Sequence, residues 1–478
     1  MAVTETMPEI DTTTWAESQD DAINFDDAGD IIDYIDNSKI RKNTPEERVR
    51  QRLVKSLVEE YGYNKSCIGL EIGIKSGAKE LKDIKTNKPG RADIIIYSSA
   101  KACLEKNQGQ IFAIFETKKE DEITGKNQLV SYISNTNAEG GGWCNGTELE
   151  FYRRMDTKSG GWELLSFPIF PRFGESWASV GEQISKDDLI IPSNLKPVFQ
   201  RCHHALYSSG ISSEDISVDM VRIILAKIGD EKASGEKCKF FCTPEEYNDN
   251  KQHKKVAQRV RALFEEVKQE NKDVFDSSEL ISASDTEITK VVKFLQNYSF
   301  IEADLDVMGT AYEVYVASHL KGDFGQYFTN RLLVDLILEI IGPDEKSVVL
   351  DPACGSAGFL MSTMLKVFNK IENSKRSEKA KTLAKEKFKR QLFGMDISKK
   401  LVKIARANMI IGGDGHSGIA HGNSLSSYEE MPVLAKQQFG KEVPDIVVTN
   451  PPFGSSNKHR IKDENILNHH ELAEPKGV

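Results

Sequence analysis

The stretch Ser347-Val-Val-Leu-Asp-Pro-Ala-Cys-Gly-Ser-Ala-Gly-Phe-Leu360 joins an apolar run, a turn of small residues and a second apolar run. This pattern predicts a buried strand that ends at Asp351, a glycine-rich turn, and a helix that begins near Gly358. Such strand–turn–helix units build doubly wound α/β sheets, whose ligands lie beyond the carboxyl ends of the strands. Gly355 and Gly358 allow a ligand to approach the backbone closely. The stretch lacks a Gly-Lys-Ser/Thr sequence, which argues against a nucleoside triphosphate.

A second strand is predicted over Gln391-Leu-Phe-Gly-Met395, and it ends in Asp396. An acid at this place can accept hydrogen bonds from ribose hydroxyls, although it can also cap the next helix. The interval from Asp351 to Asp396 exceeds the roughly 20 residues of a compact dinucleotide unit. A Lys-rich helix around residues 375–390 fills it, and this helix either follows DNA phosphates or is simply solvated.

The run Asp445-Ile-Val-Val-Thr449 predicts a buried parallel strand, and Asn450-Pro-Pro-Phe-Gly454 follows it. The Asn450 side-chain oxygen and the Pro451 carbonyl can accept hydrogen bonds from an exocyclic amine, while Phe453 stacks on a flat heterocycle. Pro451 and Pro452 fix the backbone, so both acceptors are held before a substrate arrives. The alternative is a Pro-Pro turn that closes a core strand.

The composition describes an ordinary water-soluble chain with room for roughly three domains in 478 residues. Apolar content is 39% and mean hydropathy is −0.43. We find neither an apolar run long enough for a membrane span nor a signal-peptide pattern, so no membrane is expected and a cytoplasmic location is predicted. The seven scattered cysteines suit free thiols in a reducing compartment. A net charge of −10 does not exclude nucleic acid, because local patches carry phosphate binding.

The N-terminal residues 1–40 are predicted to form a disordered acidic tail, since eleven acidic side chains and no Lys or Arg precede Lys39. The first folded domain, residues 41–165, begins with the helix-capping sequence Thr44-Pro-Glu-Glu47. Apolar strands are expected over 68–74, 92–97 and 111–118, followed by a helix over 127–134 and a hairpin over 143–152. The domain is therefore of the α/β class.

Charged residues interrupt two of these apolar strands. Asp93 opens one strand, and Glu116 and Lys118 lie on the same face at the end of another. Two carboxylates that converge from adjacent strands make a hard-oxygen site for Mg²⁺, which can activate a water toward a phosphodiester. A neighbouring lysine can stabilise the charge that develops on the phosphate. The alternative is a salt bridge on an edge strand.

The order of Pro45-Glu-Glu-Arg-Val-Arg50, Tyr61-Gly-Tyr63, Arg91-Ala-Asp93, Glu116-Thr-Lys118 and Gln128 with Tyr132 resembles the N-terminal nuclease domain of type I restriction enzyme motor subunits. The resemblance covers about residues 41–155 and implies a PD-(D/E)xK fold. It implies Asp93 and Glu116 as metal ligands, Lys118 as the catalytic lysine and Glu47 as an auxiliary acid. Gln128 and Tyr132 would brace the site or touch DNA. A Lys-rich stretch, Lys75–Lys88, departs from the pattern ahead of Asp93.

Beyond this domain, prolines and glycines predict a linker over residues 166–197. Helical periodicity over 219–228 and 253–267 predicts an all-α domain over residues 198–320. Two of its sequence motifs, Ile224-Leu-Ala-Lys-Ile228 and Asp306-Val-Met-Gly-Thr-Ala-Tyr-Glu313, resemble the helical N-terminal domain of type I modification subunits.

The C-terminal motifs resemble N6-adenine DNA methyltransferases, and most closely the type I modification subunits. The motifs in order are Gly325-Gln-Tyr-Phe-Thr329, Asp351-Pro-Ala-Cys-Gly-Ser-Ala-Gly-Phe359, Met395-Asp-Ile397, His421-Gly-Asn-Ser-Leu425 and Asn450-Pro-Pro-Phe453. The resemblance covers about residues 200–478, with a Rossmann-like methyltransferase core over 321–478. It implies S-adenosylmethionine contacts from Tyr327, Phe328, Thr329, Asp351, Gly355, Gly358, Asp396 and Asn423. Asn450, Pro451, Pro452 and Phe453 would hold an adenine flipped from double-stranded DNA, and the methyl would pass by direct in-line transfer.

Two departures from this family are visible. The family often carries an acid where Asn423 stands, and the chain stops 24 residues past Gly454. We therefore expect an incomplete core that needs a DNA-specificity subunit or a further recognition domain. Three hypotheses follow: a restriction–modification protein with a methyltransferase and a Mg²⁺-dependent nuclease on one chain; a truncated or split product that binds cofactor or partner without methylating alone; or mainly a nuclease with the methylase half as a docking module.

Overall fold

The structure is a computed structural model that describes residues 23–76, 79–82, 89–120, 122–157, 160–192, 194–207, 213–272, 274–303, 329, 331–413, 418–439, 443–451 and 464–467. The chain divides into two compact units. The first contains residues up to Glu182 together with Thr243–Asn248. The second contains Gln183–Cys242 and residues from Asp249 onward.

The helices and strands of the first unit before residue 182 are, in order, β1 (Ile31–Ile32), β2 (Ile40–Arg41), α1 (Pro45–Glu59), β3 (Ile68–Gly73), β4 (Lys75–Ser76), β5 (Lys79–Glu80), β6 (Arg91–Tyr97), α2 (Ala100–Leu104), β7 (Ile111–Thr117), α3 (Lys126–Ser134), β8 (Gly140–Cys144), β9 (Leu149–Asp156) and β10 (Trp162–Phe167). The predicted helix cap is present, since the Thr44 hydroxyl accepts a hydrogen bond from the Glu47 backbone at 3.2 Å. The strands, helix and hairpin expected in this domain are confirmed within a few residues.

A six-stranded sheet in the order β10-β9-β8-β7-β6-β3 forms the centre of the first unit. Its strands pair antiparallel except β7 and β8, which are parallel. Alternation along β6 sends Ile94 to the core shared with Leu53 of α1, and Ile95 to the core shared with Leu129 of α3. Both faces of the sheet are therefore covered by helices.

The N-terminal segment differs from its expected disorder from residue 23 onward. β1 and β2 form an antiparallel pair that aligns Ile31 with Arg41. Ile31 is fully buried, and the Asp33 carboxylate pairs with the Arg41 guanidinium. A short hairpin thus buries an apolar side chain and neutralises one of the acids that suggested a solvated tail. The prediction is wrong for residues 23–40, and residues 1–22 lie outside the described residues.

The expected linker over residues 166–197 is also structured in its first half. Residues 166 and 167 end β10, and Phe170 and Trp177 are buried in the same core as Phe115. Phe170 and Trp177 meet edge to face at 5.3 Å between ring centroids. The boundary between the compact units falls at residue 182, because these aromatic side chains complete the first core.

The remaining elements are α4 (Lys196–Tyr207), α5 (Ser213–Lys232), α6 (Pro244–Asn248), α7 (His253–Glu270), α8 (Asp285–Leu295), α9 (Arg331–Ile341), β11 (Val349–Asp351), α10 (Gly358–Glu372), α11 (Glu378–Lys389), β12 (Leu392–Asp396), α12 (Lys399–Ile411), β13 (Ile419–His421), α13 (Val433–Phe439), β14 (Ile446–Val447) and α14 (Glu464–Leu467). α6 belongs to the first unit. The other elements belong to the second unit, where α4, α5, α7 and α8 pack together and α12 packs on α5. The middle segment is thus helical in its described part.

The second unit contains a parallel sheet in the order β13-β12-β11-β14. Numbered from β11 as the first strand, this is the order 3-2-1-4 of doubly wound α/β domains. The predicted strand at Asp445–Thr449 is present, but β14 spans two residues and Val447 is 58% exposed. Within the described strands β14 lies at an end of the sheet, so the strand is parallel as expected, but the expectation that it is buried is wrong for Val447.

No helix in the described ranges is both long enough and apolar enough to cross a membrane.

Candidate functional site

The carboxyl ends of the four parallel strands meet at one edge of the second unit's sheet. β11 ends at Asp351 and β12 at Asp396, where strand pairing sets Asp396 beside His421 at the end of β13. The backbone of Val448 donates to the Leu350 carbonyl at 3.0 Å, which continues the β14 pairing toward Asn450. Because the strands are parallel, the acids and the Asn450 amide come to the same edge of the sheet.

The glycine-rich turn after β11 is tied to the acid on the neighbouring strand. The Gly355 backbone N–H donates to Asp396 Oδ2 at 3.0 Å, and the Ser398 N–H donates to Asp396 Oδ1 at 2.8 Å. Gly355 has φ +53°, and a Cβ built on it would meet no atom within 4 Å. Gly355 is therefore in a left-handed conformation with open space beside it, which leaves its backbone accessible to a ligand.

Asp351 is buried, with 2% of its surface exposed. Burial raises the pKa of its carboxyl to about 7, against an opposing hydrogen bond from the Ala353 backbone and with a further increase from Asp396. Burial also raises the pKa of Asp396. Because Asp396 raises the pKa of Asp351, this edge of the sheet favours a positively charged or hydrogen-bond-donating partner at the two acids.

Asn450 contacts one of the residues expected to bind the cofactor. Its amide nitrogen donates to the Thr329 hydroxyl at 3.0 Å. Pro451 is exposed beside it. The structure thus brings Thr329, assigned to the cofactor, against Asn450, assigned to the substrate. Four of the expected site residues lie outside the described residues, namely Tyr327, Phe328, Pro452 and Phe453.

The two other expected cofactor residues take local roles in the backbone. Gly358 is the first residue of α10. The Asn423 side-chain oxygen accepts from the Leu425 backbone at 3.0 Å, and so closes a turn after β13. Their assignment to cofactor binding stays a prediction.

A second cluster of charged side chains lies on the sheet of the first unit. The register of β6 and β7 pairs Ile94 with Phe115, which sets Asp93 beside the end of β7. Lys118 Nζ lies 2.8 Å from Glu116 Oε1 and 3.9 Å from Asp93 Oδ2. It also donates to the Thr117 carbonyl at 2.7 Å and to Glu46 Oε1 at 3.1 Å. The alternation along the strand therefore brings Asp93, Glu116 and Lys118 together.

Burial changes the protonation of this cluster. Glu116 is 1% exposed. Burial raises the pKa of its carboxyl to about 8, and nearby Asp93 raises it further, while Lys118 opposes the shift. Burial lowers the pKa of Lys118, but Glu116 and Asp93 outweigh it, so the net direction is upward. Lys118 therefore stays charged near neutral pH, and Glu116 takes up a proton easily.

The residues with implied supporting roles are linked to the cluster through other residues. Glu47 of α1 pairs with Arg50 at 2.7 Å and accepts from the Gln51 amide at 2.8 Å. Gln128 donates to the Tyr132 hydroxyl at 2.6 Å, and that hydroxyl donates to the Arg91 carbonyl at 3.1 Å. The last contact ties α3 to the start of β6, the strand that carries Asp93.

The donor atoms around Lys118 suit a divalent cation by their chemistry. Among the described residues, no group of three or more His, Cys, Asp and Glu side chains is arranged as a metal site. However, oxygen atoms of Glu116, Thr117 and Glu46 surround the Lys118 ammonium, with Asp93 farther off. Carboxylate and carbonyl oxygens are the ligands that Mg²⁺ prefers. In the structure the Lys118 ammonium is the cation among these oxygens.

Sequence reasoning missed two partners of Asp93. Arg50 donates to its Oδ1 at 2.9 Å, and the backbone and hydroxyl of Thr117 donate to its Oδ2 at 2.7 and 3.1 Å. The signal for Arg50 was its i, i+3 spacing from Glu47 on a helix. Thr117 gave no signal, because its contact depends on the pairing of β6 with β7.

A parallel sheet in the 3-2-1-4 order, with a glycine turn tied to an acid on the next strand, is the arrangement of doubly wound domains that bind nucleotide-containing cofactors. Residues 303–476 match the family model for N-6 DNA methylases, and residues 45–168 match the model for the N terminus of the type I restriction enzyme R protein. The chain therefore combines a domain of the type I restriction enzyme R protein N-terminal family with a domain of the N-6 DNA methylase family.

Relatives in restriction systems support this assignment. The chain is 34% identical over 125 residues to the type II restriction enzyme and methyltransferase RM.BcgI of Heyndrickxia coagulans, 26% of this chain and 18% of that protein. It is 28% identical over 197 residues to the type I restriction enzyme StySPI methylase subunit of Salmonella potsdam, 38% of this chain and 35% of that subunit. It is 32% identical over 159 residues to the EcoKI methylase subunit of Escherichia coli, 32% of this chain and 28% of that subunit. The aligned parts thus span well under half of each relative.

A solved modification subunit of a putative type I restriction enzyme from Vibrio vulnificus superposes with a TM-score of 0.37 at 17% identity, covering 60% of this chain and 64% of that chain. This TM-score is too low to establish a shared fold.

Proposed function

We propose that the second unit is the adenine-specific DNA methyltransferase core of a restriction–modification system, which transfers a methyl group from S-adenosylmethionine to N6 of adenine. The observation that carries the proposal is the position of Asn450. Its amide lies at the carboxyl edge of the parallel sheet, hydrogen-bonded to Thr329, at the same edge as the Gly355 turn and Asp396. A methyl acceptor held at Asn450 would therefore lie next to the place expected for the cofactor.

At this edge, some residues would bind the cofactor and others would hold the adenine. S-adenosylmethionine supplies the methyl group on a sulfonium centre. Gly355 would admit the cofactor against the backbone, and the Asp396 carboxylate would offer its remaining lone pairs to ribose hydroxyls. The Asn450 oxygen and the Pro451 carbonyl accept from the adenine amine and direct its lone pair at the methyl carbon. The methyl carbon of the bound cofactor would be transferred to this amine, whose proton would leave to solvent.

The whole activity requires double-stranded DNA that is presented at a chosen sequence. The relatives named methylase subunits belong to type I restriction enzymes. We therefore propose a DNA-specificity subunit or a further recognition domain as partner. Phosphate contacts alone do not specify sequence, so such a partner is what makes the methylation site-specific.

Two variants of the full chain separate binding from transfer. Asp396→Ala should lose binding of S-adenosylmethionine measured by isothermal titration calorimetry. Asn450→Ala should keep this binding and lower methyl-³H transfer to adenine by about 100-fold or more, when DNA and the specificity partner are supplied. Full transfer by Asn450→Ala would refute the assignment of the substrate clamp. An undiminished cofactor affinity in Asp396→Ala would refute the cofactor site.

A nuclease is the second proposed activity, and the convergence of Asp93, Glu116 and Lys118 supports it. Mg²⁺, where bound, would polarise a phosphodiester and lower the pKa of an attacking water. Asp93 and Glu116 would hold the metal ion, with Glu47 as an auxiliary acid. Lys118 would stabilise the charge that develops on the phosphate with its ammonium. Gln128 would support the site through Tyr132.

The nuclease proposal has its own test on the same chain. Mg²⁺-dependent DNA cleavage should be lost in Asp93→Ala and kept in Asn450→Ala. Methyl transfer, by contrast, should be kept in Asp93→Ala and lost in Asn450→Ala. Cleavage that persists in Asp93→Ala at the wild-type rate would show that the activity comes from elsewhere.

A further inference from the structure

Arg50 occupies a buried position between two acids of the first unit. Its side chain is on α1, and only 7% of the residue is exposed. One guanidinium nitrogen lies 2.9 Å from Asp93 Oδ1, and the other lies 2.7 Å from Glu47 Oε2. A planar guanidinium can serve two carboxylates at fixed angles, which a lysine ammonium cannot. Arg50 thus fixes the spacing between α1 and the strand that carries Asp93.

The hydrogen bonds that Asp93 accepts hold its carboxylate in one orientation. Oδ2 accepts two hydrogen bonds from Thr117, through its backbone N–H at 2.7 Å and its hydroxyl at 3.1 Å. Oδ1 accepts from Arg50. Each carboxylate oxygen offers about two acceptor directions, so Thr117 fills Oδ2 while Oδ1 keeps a direction open. The bond from Arg50 decides where that open direction points.

A second arginine, Arg41, shares two acidic partners with Arg50. Arg41, at the end of β2, pairs with Asp33 and with Glu71 at 2.8 Å, and lies 3.5 Å from Glu47. Arg50 also lies 3.3 Å from Glu71. Positive and negative side chains therefore alternate from the β1–β2 hairpin to Asp93. The hairpin precedes residue 45, where the match to the restriction-subunit family begins.

We infer that Arg50 is a positioning residue of the nuclease site, which orients Asp93 for its metal, and that Arg41 keeps Arg50 in place. The inference rests on the proposed nuclease function. It gives the hairpin over residues 31–41 a part in that site, although it lies outside the family match. The hairpin does not touch substrate in this role, since it acts through two arginines.

A positioning role has a signature that a merely structural role lacks. In Arg50→Lys the positive charge near the metal is kept, and only the two-armed geometry that orients the Asp93 carboxylate is lost. Loss of this two-armed geometry should therefore lower the rate of cleavage at saturating Mg²⁺ without weakening the binding of the metal. An arginine that only supported the fold would, when changed, weaken binding and cleavage together, because both acids would be displaced.

The test compares Arg50→Lys with Arg41→Lys in the full chain. Both changes keep the charge, so they avoid leaving Asp93 or Glu47 buried without a counter-charge. The control is Arg154→Lys, which alters an arginine that stacks over Trp162 at 4.8 Å in the same unit. The readouts are Mn²⁺ affinity from isothermal titration calorimetry and the single-turnover cleavage rate at saturating Mg²⁺.

Arg50→Lys is expected to slow cleavage by about 10- to 100-fold while its Mn²⁺ affinity stays close to that of the wild type. Arg41→Lys should show a smaller loss of rate with the same unchanged affinity, and Arg154→Lys should match the wild type. A wild-type rate in Arg50→Lys overturns the inference, and so does a parallel fall of rate and affinity. If Arg50→Lys does not fold, the same two criteria apply to Arg41→Lys.

The proposed function is tested separately by the wild type and Asp93→Ala. A wild-type chain with neither cleavage nor Asp93-dependent Mn²⁺ binding removes the nuclease and the inference together. A wild type that cleaves and loses cleavage in Asp93→Ala, combined with unimpaired Arg50→Lys and Arg41→Lys, removes the inference alone.

Discussion

Thr329 and Asn450 are far apart in the chain, and the amide nitrogen of the second donates to the hydroxyl of the first at 3.0 Å. A primary amide presents its oxygen and its nitrogen on opposite arms. A hydrogen bond donated by the nitrogen therefore fixes which way the oxygen points. In the proposed reaction this oxygen must accept from the adenine amine, so Thr329 would set the acceptor's direction as well as contact the cofactor.

Replacement of Thr329 separates these two roles. Thr329→Val keeps the shape and removes the acceptor, so we expect methyl transfer at saturating cofactor to fall by about 10-fold or more. Affinity for S-adenosylmethionine, measured by calorimetry, should change less than the rate. Thr329→Ser keeps a hydroxyl and serves as the matched control with near wild-type transfer. A large loss of affinity with full rate at saturation would mean that the hydroxyl serves the cofactor alone.

For individual residues, the sequence predicted which side chains lie together when both belong to the same helix or strand. Period-two alternation predicted that Glu116 and Lys118 share a face, and their side chains lie 2.8 Å apart. It could not predict that Arg50 reaches Asp93, because that contact joins a helix to a strand across 43 positions of the chain. Such a contact depends on how α1 packs on the sheet, which a local pattern does not encode.

The sheet of the first unit depends on a strand of small residues. β8 begins Gly140-Gly141-Gly142, all buried between β7 and β9. A Cβ at Gly141 would lie 1.8 Å from the Ile114 carbonyl oxygen, which belongs to the partner strand's backbone. A backbone atom of a paired strand cannot move aside as a flexible side chain can. The glycine is therefore a requirement of the close approach of β7, the strand that carries Glu116.

Gly141→Ala is expected to lower the free energy of unfolding of the first unit by about 3 kcal/mol or more, because the parallel pair must separate. Gly73→Ala is the control, since it lies on β3 of the same sheet and an added Cβ meets nothing within 4 Å. Urea denaturation of both full-chain variants checks the difference. Equal midpoints for the two variants would show that β7 and β8 have room to adjust.

Local sequence patterns correctly predicted where two of the helices begin. The Thr44-Pro45 start predicted α1, and the glycine turn predicted a helix from Gly358, because caps and turns are local chemistry. The exposure of Val447 was not predictable from its apolar run. An apolar strand reads alike at the centre and at the end of a sheet, since strand order is a property of the whole sheet.

The whole molecule holds a buried acid with a raised pKa in each compact unit. The pKa of Glu116 is raised from 4.5 to about 8, and that of Asp351 from 3.8 to about 7, in both cases mainly by burial. At intermediate pH the folded chain therefore binds protons that the unfolded chain has released. The stability that these protons provide is fully present below the unfolded pKa values and is lost as pH rises through about 7 for Asp351 and about 8 for Glu116.

We therefore expect both units to unfold at lower temperature as pH rises from about 5.5 to about 9, and the net charge of −10 adds repulsion in the same direction. Thermal unfolding of the full chain, followed by calorimetry across this range, measures the slope. Asp351→Asn keeps an acceptor for the Ala353 backbone but carries no charge, so it should stabilise the second unit near pH 9 and change little near pH 5.5. Glu116→Gln should do the same for the first unit. If stability rises with pH in the wild type, or if each substitution flattens the slope of the other unit, these carboxyls are not the groups that set it.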